Sequence, residues 1–397
     1  MPYASVRPNS APSLVPERTS VLIFAAIVAI FVYGMIAAML GTILPDLSAR
    51  FNLTPTQNGT IAFAQAVGLM VASLAVGPLL DTQGDKIGLV LGLILIAVAL
   101  FALPHSGGYG SIVFLLFLLG VGGGIVVTGA NSLASAASPD HRATALNLVN
   151  LFFGLGGLVT PFVAANLFKK NATRLCYAIA TFTVIALAVQ AVAPMPPPAG
   201  SAGFAMARAG PMLAQPLLLM LGLFLFLYVS CEVGVWNWLP RHLIAQGIPE
   251  STALNILSLG FALGLLIGRV GVSPILIHVP AVRVLLAASI AMAVTTFLML
   301  RTRKPAVAAA LVFVAGLAMA PVFPTTLAIV GSAFPHMTGT AIGFAITCGW
   351  AGLAVSSRII GALAGDNPAR LKSALLVLPV FSVAMVGLNL MILSALR

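Results

Sequence analysis

The chain has 397 residues, of which 60% are hydrophobic and 7% charged; its mean hydropathy is +1.11, whereas a soluble domain is about one quarter charged, so water is excluded as its main solvent. A formal net charge of +11 comes from 19 Lys and Arg against 8 Asp and Glu, but the basic residues stand singly between apolar runs and build no face for nucleic acid. A spanning helix needs roughly 20 apolar residues, and this length leaves room for about twelve.

Residues 1–20 form a polar tail. The apolar run that follows, 21–44, is too long for the core of a signal peptide and reads as the first spanning helix. Further runs fall at 57–80, 87–104, 111–137, 144–168 and 175–193, then at 213–240, 253–272, 284–300, 306–330, 340–365 and 374–395. Pro, Gly and Ala crowd the segment 194–212, which reads as a linker because Pro cannot continue a helix. The expected organisation is therefore an N-terminal bundle over 21–193 and a C-terminal bundle over 213–397. Cys176, Cys231 and Cys348 each fall in or beside an apolar run without paired spacing or a His cluster, and read as small buried hydrophobes.

The two halves echo each other. Pro139-Asp-His-Arg-Ala-Thr-Ala-Leu146 after the fourth run matches Pro335-His-Met-Thr-Gly-Thr-Ala-Ile342 after the tenth. Placement after corresponding helices favours duplication over chance similarity. Between the second and third helices stands Gly77-Pro-Leu-Leu-Asp81-Thr-Gln-Gly84-Asp85-Lys86-Ile-Gly88. Glycines let helices approach closely, and an Asp at a helix end accepts hydrogen bonds from a neighbouring helix terminus. Gly77, Asp81, Gly84 and Lys86 are thus candidate gating residues, with an ordinary polar turn as the alternative.

This stretch resembles the loop signature of the major facilitator superfamily. More narrowly the chain resembles the fucose and glucose permease branch, through Leu44-Pro45, Leu146-Asn-Leu-Val-Asn150-Leu-Phe-Phe-Gly154, Glu232-Val-Gly-Val-Trp-Asn-Trp-Leu-Pro240, Gly268-Arg269 with Arg283-Val-Leu285, and Gly316 to Thr325. The resemblance implies an all-α membrane protein of twelve transmembrane helices in two pseudo-symmetric six-helix bundles, with a sugar-like substrate often carried with a cation. It also implies acidic residues in helices 1 and 4 for proton symport. Those positions fall near Gly41 and Val127 here, so that proton mechanism does not carry over intact. Gly268-Arg269 reads as a degenerate second copy of the loop signature.

Most charges sit in loops, but Glu232 in helix 7 and Arg358 in helix 11 lie inside apolar runs, where a lone charge costs about 2.5–3.5 kcal/mol. Their distances from the helix ends match in depth, roughly 11–12 Å at 1.5 Å per residue. Three uses are open: a permanent salt bridge, a pair that opens when a proton or cation reaches Glu232, or an Arg358 free to hold an anion. Tyr228, Glu232 and Trp236 recur at i, i+4 and i+8 and share a face. Aromatic faces suit sugar C–H surfaces while amides and carboxylates suit hydroxyls. Gln65, Asn131, Asn150, Asn237 and Trp350 complete the expected substrate-binding set, against a bland reading of the amides as helix-to-helix hydrogen bonds and of the tryptophans as interface anchors. In helix 10, Pro321 and Pro324 are expected to mark a kink.

The function expected from these residues is a secondary transporter that moves a sugar or polyol by alternating access, with Glu232 and Arg358 as the coupling pair and H+ or Na+ as the candidate cation. An organic-anion or drug transporter using Arg358, and a non-transporting receptor on the same scaffold, are the rivals. No nucleophile and base pair, metal cluster or phosphate loop points to an enzyme, a cofactor or a metal. A monomer in a bacterial inner membrane is expected, with its termini cytoplasmic. That sidedness follows from the loop signature alone, because Lys and Arg do not favour either face.

Overall fold

The computed structural model describes residues 16–168, 171–195, 206–364 and 368–396. Most of the 1–20 tail, Lys169, Lys170, 196–205 of the expected linker and Gly365 lie outside them.

Among the described residues, twelve helices are long and apolar enough to cross a membrane: helix 1 (Arg18–Phe51), helix 2 (Pro55–Gln83), helix 3 (Asp85–His105), helix 4 (Tyr109–Ala137), helix 5 (Arg142–Asn166), helix 6 (Ala172–Val192), helix 7 (Pro216–Ala245), helix 8 (Glu250–His278), helix 9 (Ala281–Met299), helix 10 (Pro305–Ala333), helix 11 (Thr338–Ala364) and helix 12 (Arg370–Ala395). Helices are the natural solution in hydrocarbon, because every backbone N–H and C=O is satisfied within its own segment. The described part of the 194–212 segment ends in a short helix, Met206–Leu213.

Local sequence sets the ends. Helix 1 runs through Pro45 instead of stopping there. It stops at Asn52, whose φ of 51° lies in the left-handed region, while the Leu53 N–H reaches back to the Ser48 carbonyl at 3.0 Å; Asn tolerates that conformation and the bond closes an orphan carbonyl. Helix 2 opens on Thr54, which accepts from the Gln57 N–H as Gln57 returns a bond to the Thr54 N–H. Gly84, at φ 88°, separates helices 2 and 3, a backbone shape that a side chain would strain. Helix 10 breaks between Met319 and Val322, so Pro321 acts as a kink, as expected. Helix 8 carries a π-helical stretch, Ile256–Ala262, which no sequence signal marks.

The halves repeat their packing. Helices 2 and 4 cross with Gly68 against the Phe117 carbonyl and Gly124 against that of Leu69; helices 8 and 10 cross with Gly264 against the Phe313 carbonyl and Gly316 against that of Phe261. Helices 1 and 5 meet through Gly34 and Gly156, and helices 7 and 11 through Gly349 and Gly352. Without a hydrophobic drive between helices in lipid, such backbone approach is a main source of packing energy. The matching segments after helices 4 and 10 lead into helices 5 and 11, the same place in each half.

Contacts between the halves run from the face that carries both described chain ends to mid-span. Asp81, Thr144, Asn147, Asn150 and Met70 of the first half bond to Gly339 and Thr340, Ser273, Thr325, Arg269 and Thr347 of the second. Farther out, Phe63, Leu158 and Phe162 are exposed, as are Leu259, Leu263 and Leu363. The halves are thus clamped on the terminal face.

Gly77 lies against the backbone of Gly339 and Thr340, and Gly343 against the Ser73 carbonyl. Gly343→Val is expected to wedge helices 2 and 11 apart, at a cost of about 1–3 kcal/mol typical of overpacking. Cysteine labelling should then find the opposite face less open and the terminal face more so; unchanged labelling would show that the seam tolerates a side chain there.

Candidate functional site: a clamped seam above a mid-span charge pair

The clamp centres on Asp81. One carboxylate oxygen accepts from the Gly339 N–H at 2.7 Å, and the other from the Thr340 N–H at 2.9 Å and the Thr340 hydroxyl at 2.6 Å. Those are the free N–H groups of the first turn of helix 11, where the helix dipole favours an anion. Gly339 and Thr340 admit the approach, since a Cβ on Gly339 would meet Leu80 and Asp81. Lys86 is not part of this contact. Its ammonium donates to the carbonyls of Ala191 at 2.6 Å and Ala193 at 3.3 Å, capping the end of helix 6 inside its own half.

At mid-span, helix 7 carries Tyr228, Glu232 and Trp236 in successive turns, as the i, i+4, i+8 spacing requires. The charge that acts on Glu232 is Arg269 of helix 8, and both Tyr228 and Trp236 turn toward the same carboxylate. The Tyr228 hydroxyl is fully buried and completes no well-aligned hydrogen bond. Trp236 packs edge-on against Phe261 of the π-helical stretch, ring centroids 5.3 Å apart at 77°.

Arg269 is 5% exposed, and its Nη1 donates to the Asn150 carbonyl of helix 5 at 2.7 Å, so it ties helix 8 of the second half to helix 5 of the first. Its Nε is buried with no partner. Gly154, one turn farther along helix 5, makes room for the guanidinium; a Cβ there would sit 3.3 Å from Nη1 and 2.7 Å from Leu266.

Arg358 does not join this pair. It is exposed, because helix 11 meets helix 7 through Gly352, Ile360 and Gly361, and Arg358 lies two residues from Ile360, about 200° around the helix at 3.6 residues per turn. Gly268-Arg269, in turn, is no loop remnant: helix 8 continues to His278, carrying Arg269 inward by about nine residues, or ~14 Å. Ending the helix at 272 hides it.

Of the remaining expected ligands, Asn131 and Asn150 are buried and bonded to each other, Asn150 Nδ2 donating to Asn131 Oδ1 at 2.7 Å, while Asn131 Nδ2 donates to the Val127 carbonyl at 2.7 Å. Such an amide pair staples helix 4 to helix 5. Asn131→Leu is expected to lower stability by about 1–3 kcal/mol, through the stranded Asn150 amide, with solute affinity unchanged. A melting curve that holds while affinity falls would return the pair to the ligand set. Gln65 and Trp350 are half-buried and Asn237 is exposed, and the Trp350 Nε1 has no partner. Trp238 lies beneath the Arg241 guanidinium, 5.3 Å away, toward the far end of helix 7. Asn147 crosses the seam to Thr325 Oγ1 at 3.1 Å, and Tyr33 stacks on Phe153 at 5.2 Å between helices 1 and 5. Cys231 and Cys176 are buried free thiols. The described residues contain no group of three or more His, Cys, Asp or Glu that could hold a metal.

Two repeated halves of six spanning helices, clamped at one face and meeting over buried charges, define a polytopic transporter scaffold. The sequence matches the description of the Major Facilitator Superfamily over residues 26–357, and the chain belongs to that family. It is 25% identical over 317 residues to the glucose/mannose transporter of Bacillus subtilis, covering 75% of this chain and 77% of that one. A Brucella abortus glucose/galactose transporter is 27% identical over 260 residues, 60% of this chain and 63% of its own. A 4-hydroxybenzoate transporter of Pseudomonas aeruginosa is 28% identical over 160 residues, 40% of this chain and 35% of its own. With these two, the match spans less than two thirds of the relative's length. Among solved structures, the fucose:proton symporter of E. coli superposes with a TM-score of 0.81 over 93% of this chain and 98% of that one, at 16% identity. These findings place the chain among the integral membrane proteins of that family.

Proposed function

We propose that the chain moves a sugar or polyol across the membrane by alternating access, with Glu232 as the cation-coupling carboxylate and Arg269, not Arg358, as its counter-charge. The observation that carries this reading is the placement of Tyr228, Glu232 and Trp236 opposite Arg269 at mid-span, beside the Arg269 to Asn150 bond that crosses the seam. Gln65, Asn237 and Trp350 are offered as further solute contacts. Sugar-carrying relatives support the substrate class.

In this reading the terminal face is cytoplasmic and the opposite face opens outward. Gly77, Asp81 and Gly84 hold the cytoplasmic seam shut, with Lys86 bracing it from within its own half, and the solute enters from outside. When the bundles rock, the Asp81 contacts and the Arg269 to Asn150 bond break together. A cation on Glu232 can bias that change only through different affinities in the two states.

The test is a thermal-shift screen of sugars and organic acids on purified protein, followed by flux in proteoliposomes under H+ and Na+ gradients; a ligand stabilises the state it binds. Stabilisation by a sugar together with gradient-dependent uptake of it is the expected result. Ligand binding with no flux under any gradient would favour a receptor on the same scaffold.

A further inference from the structure

We propose that the terminal face carries a binding site for a phosphate monoester on a small apolar body, built across the seam. It is separate from the mid-span cluster and stands whether or not that cluster carries solute. A cavity of about 520 Å³ opens between the helix 4 to helix 5 loop of the first half and the helix 8 to helix 9 loop of the second, with helix 10 and the end of helix 12 completing its walls. Sites for small ligands run from about 300 to 1,000 Å³. Its donors come from both halves: His141 and Arg142 line it from the first, His278 from the second. Arg142 Nε donates to the Ser135 carbonyl at 3.0 Å, which orients the guanidinium, while its terminal nitrogens make no hydrogen bond among the described residues. Helices 5 and 9 both begin on the cavity wall, at Arg142 and Ala281, and neither is capped by a side chain, so their free N–H groups add partial positive charge. Against these stands one carboxylate of the lining, the exposed Asp140, which is the charge that acts on Arg142.

A phosphate monoester carries three terminal oxygens and close to two negative charges, enough to meet a guanidinium and an imidazole from opposite halves at once. A carboxylate has two oxygens in one plane and is used up by the guanidinium fork. The rest of the lining is apolar, with Leu276, Ile329 and Leu396 in it, and suits a body with few hydroxyls. Beside the cavity the Thr144 hydroxyl donates across the seam to the Ser273 carbonyl at 3.1 Å, so the two loops stand opposite each other while the terminal face is clamped. A ligand that bridges them binds that state better than one in which the halves have parted, and biases the seam shut.

The experiment measures binding of phenyl phosphate, inorganic phosphate and benzoate by calorimetry to the full chain in detergent, for the natural sequence, Arg142→Gln, His278→Gln and Asp140→Asn, each first checked for a cooperative melt. Phenyl phosphate is expected to bind at least about tenfold more tightly than benzoate, the gain of one charge-assisted contact, with inorganic phosphate between them for want of the apolar body. Arg142→Gln and His278→Gln should each weaken phenyl phosphate, the first by about tenfold or more, and Asp140→Asn, which removes a repulsion, should strengthen it. Should Arg142→Gln fail to fold, the opposite signs of His278→Gln and Asp140→Asn carry the test. A cysteine placed by Ser332→Cys, exposed on the helix 10 wall, should be shielded from a maleimide by phenyl phosphate. In phosphatidylcholine bilayers, loss of phenyl phosphate binding on adding phosphatidic acid would assign the phosphate to a lipid headgroup, and undiminished binding to a soluble ester. Benzoate binding as tightly as phenyl phosphate, no saturable heat, or no shielding of Ser332→Cys would overturn the site. An affinity unchanged in His278→Gln would confine it to one half and overturn the bridge.

Discussion

Proteoliposomes carrying Glu232→Gln are expected to exchange solute across the membrane at near the natural rate and to lose gradient-driven accumulation altogether. An amide imitates the protonated acid, keeping its shape and one acceptor while releasing no proton. Arg269 would then be held by Asn150 and by solute alone, with no carboxylate to draw it back when the gradient changes. Removing the cation instead is harsher. Arg269→Ala leaves the half-buried Glu232 carboxylate without the charge that acts on it, and should reduce yield and melting temperature before transport is measured. The double change Glu232→Gln/Arg269→Ala removes the stranded charge and is expected to be more stable than Arg269→Ala. Undiminished H+- or Na+-driven uptake in Glu232→Gln would refute the coupling role and leave a structural pair or facilitated diffusion. The reverse order of stabilities would refute the assignment of Arg269 as partner.

The second large effect concerns the clamp. Asp81→Ala removes three hydrogen bonds to one carboxylate, each worth about 1.5–3 kcal/mol when the acceptor is charged, discounted here because the carboxylate regains water when the seam opens. A net change of about 2–4 kcal/mol shifts the balance between the two seams roughly 30- to 1,000-fold. Spin-label distances between the ends of helices 2 and 11 on the terminal face should lengthen accordingly, and the opposite ends should close. Asp81→Asn, which keeps one acceptor but no charge, should lie between. If the distances stay as they are and uptake is normal, Asp81 is a turn former and the clamp resides in the packing of Gly77 and Gly343.

The sequence by itself settled what depends on composition and on neighbours along the chain. Bilayer thickness and the run of apolar residues set twelve helices, and the offset echoes set two halves. The spacing of Tyr228, Glu232 and Trp236 put them on one face, because helical periodicity is local. The position of Asp81 at a helix end made it a candidate for a neighbouring terminus for the same reason. The tertiary structure decided everything that depends on azimuth and on where a helix stops. Glu232 and Arg358 match in depth, and depth is readable from residue counts, but Arg358 is exposed and the charge that acts on Glu232 is Arg269. Arg269 sits near the end of an apolar run and so reads as peripheral; only the continuation of helix 8 to His278 brings it inward. From sequence Asn131 and Asn150 read as ligands, with helix-to-helix hydrogen bonding as the alternative; only the tertiary structure shows the 2.7 Å bond between them, an amide in hydrocarbon taking the nearest partner that packing supplies.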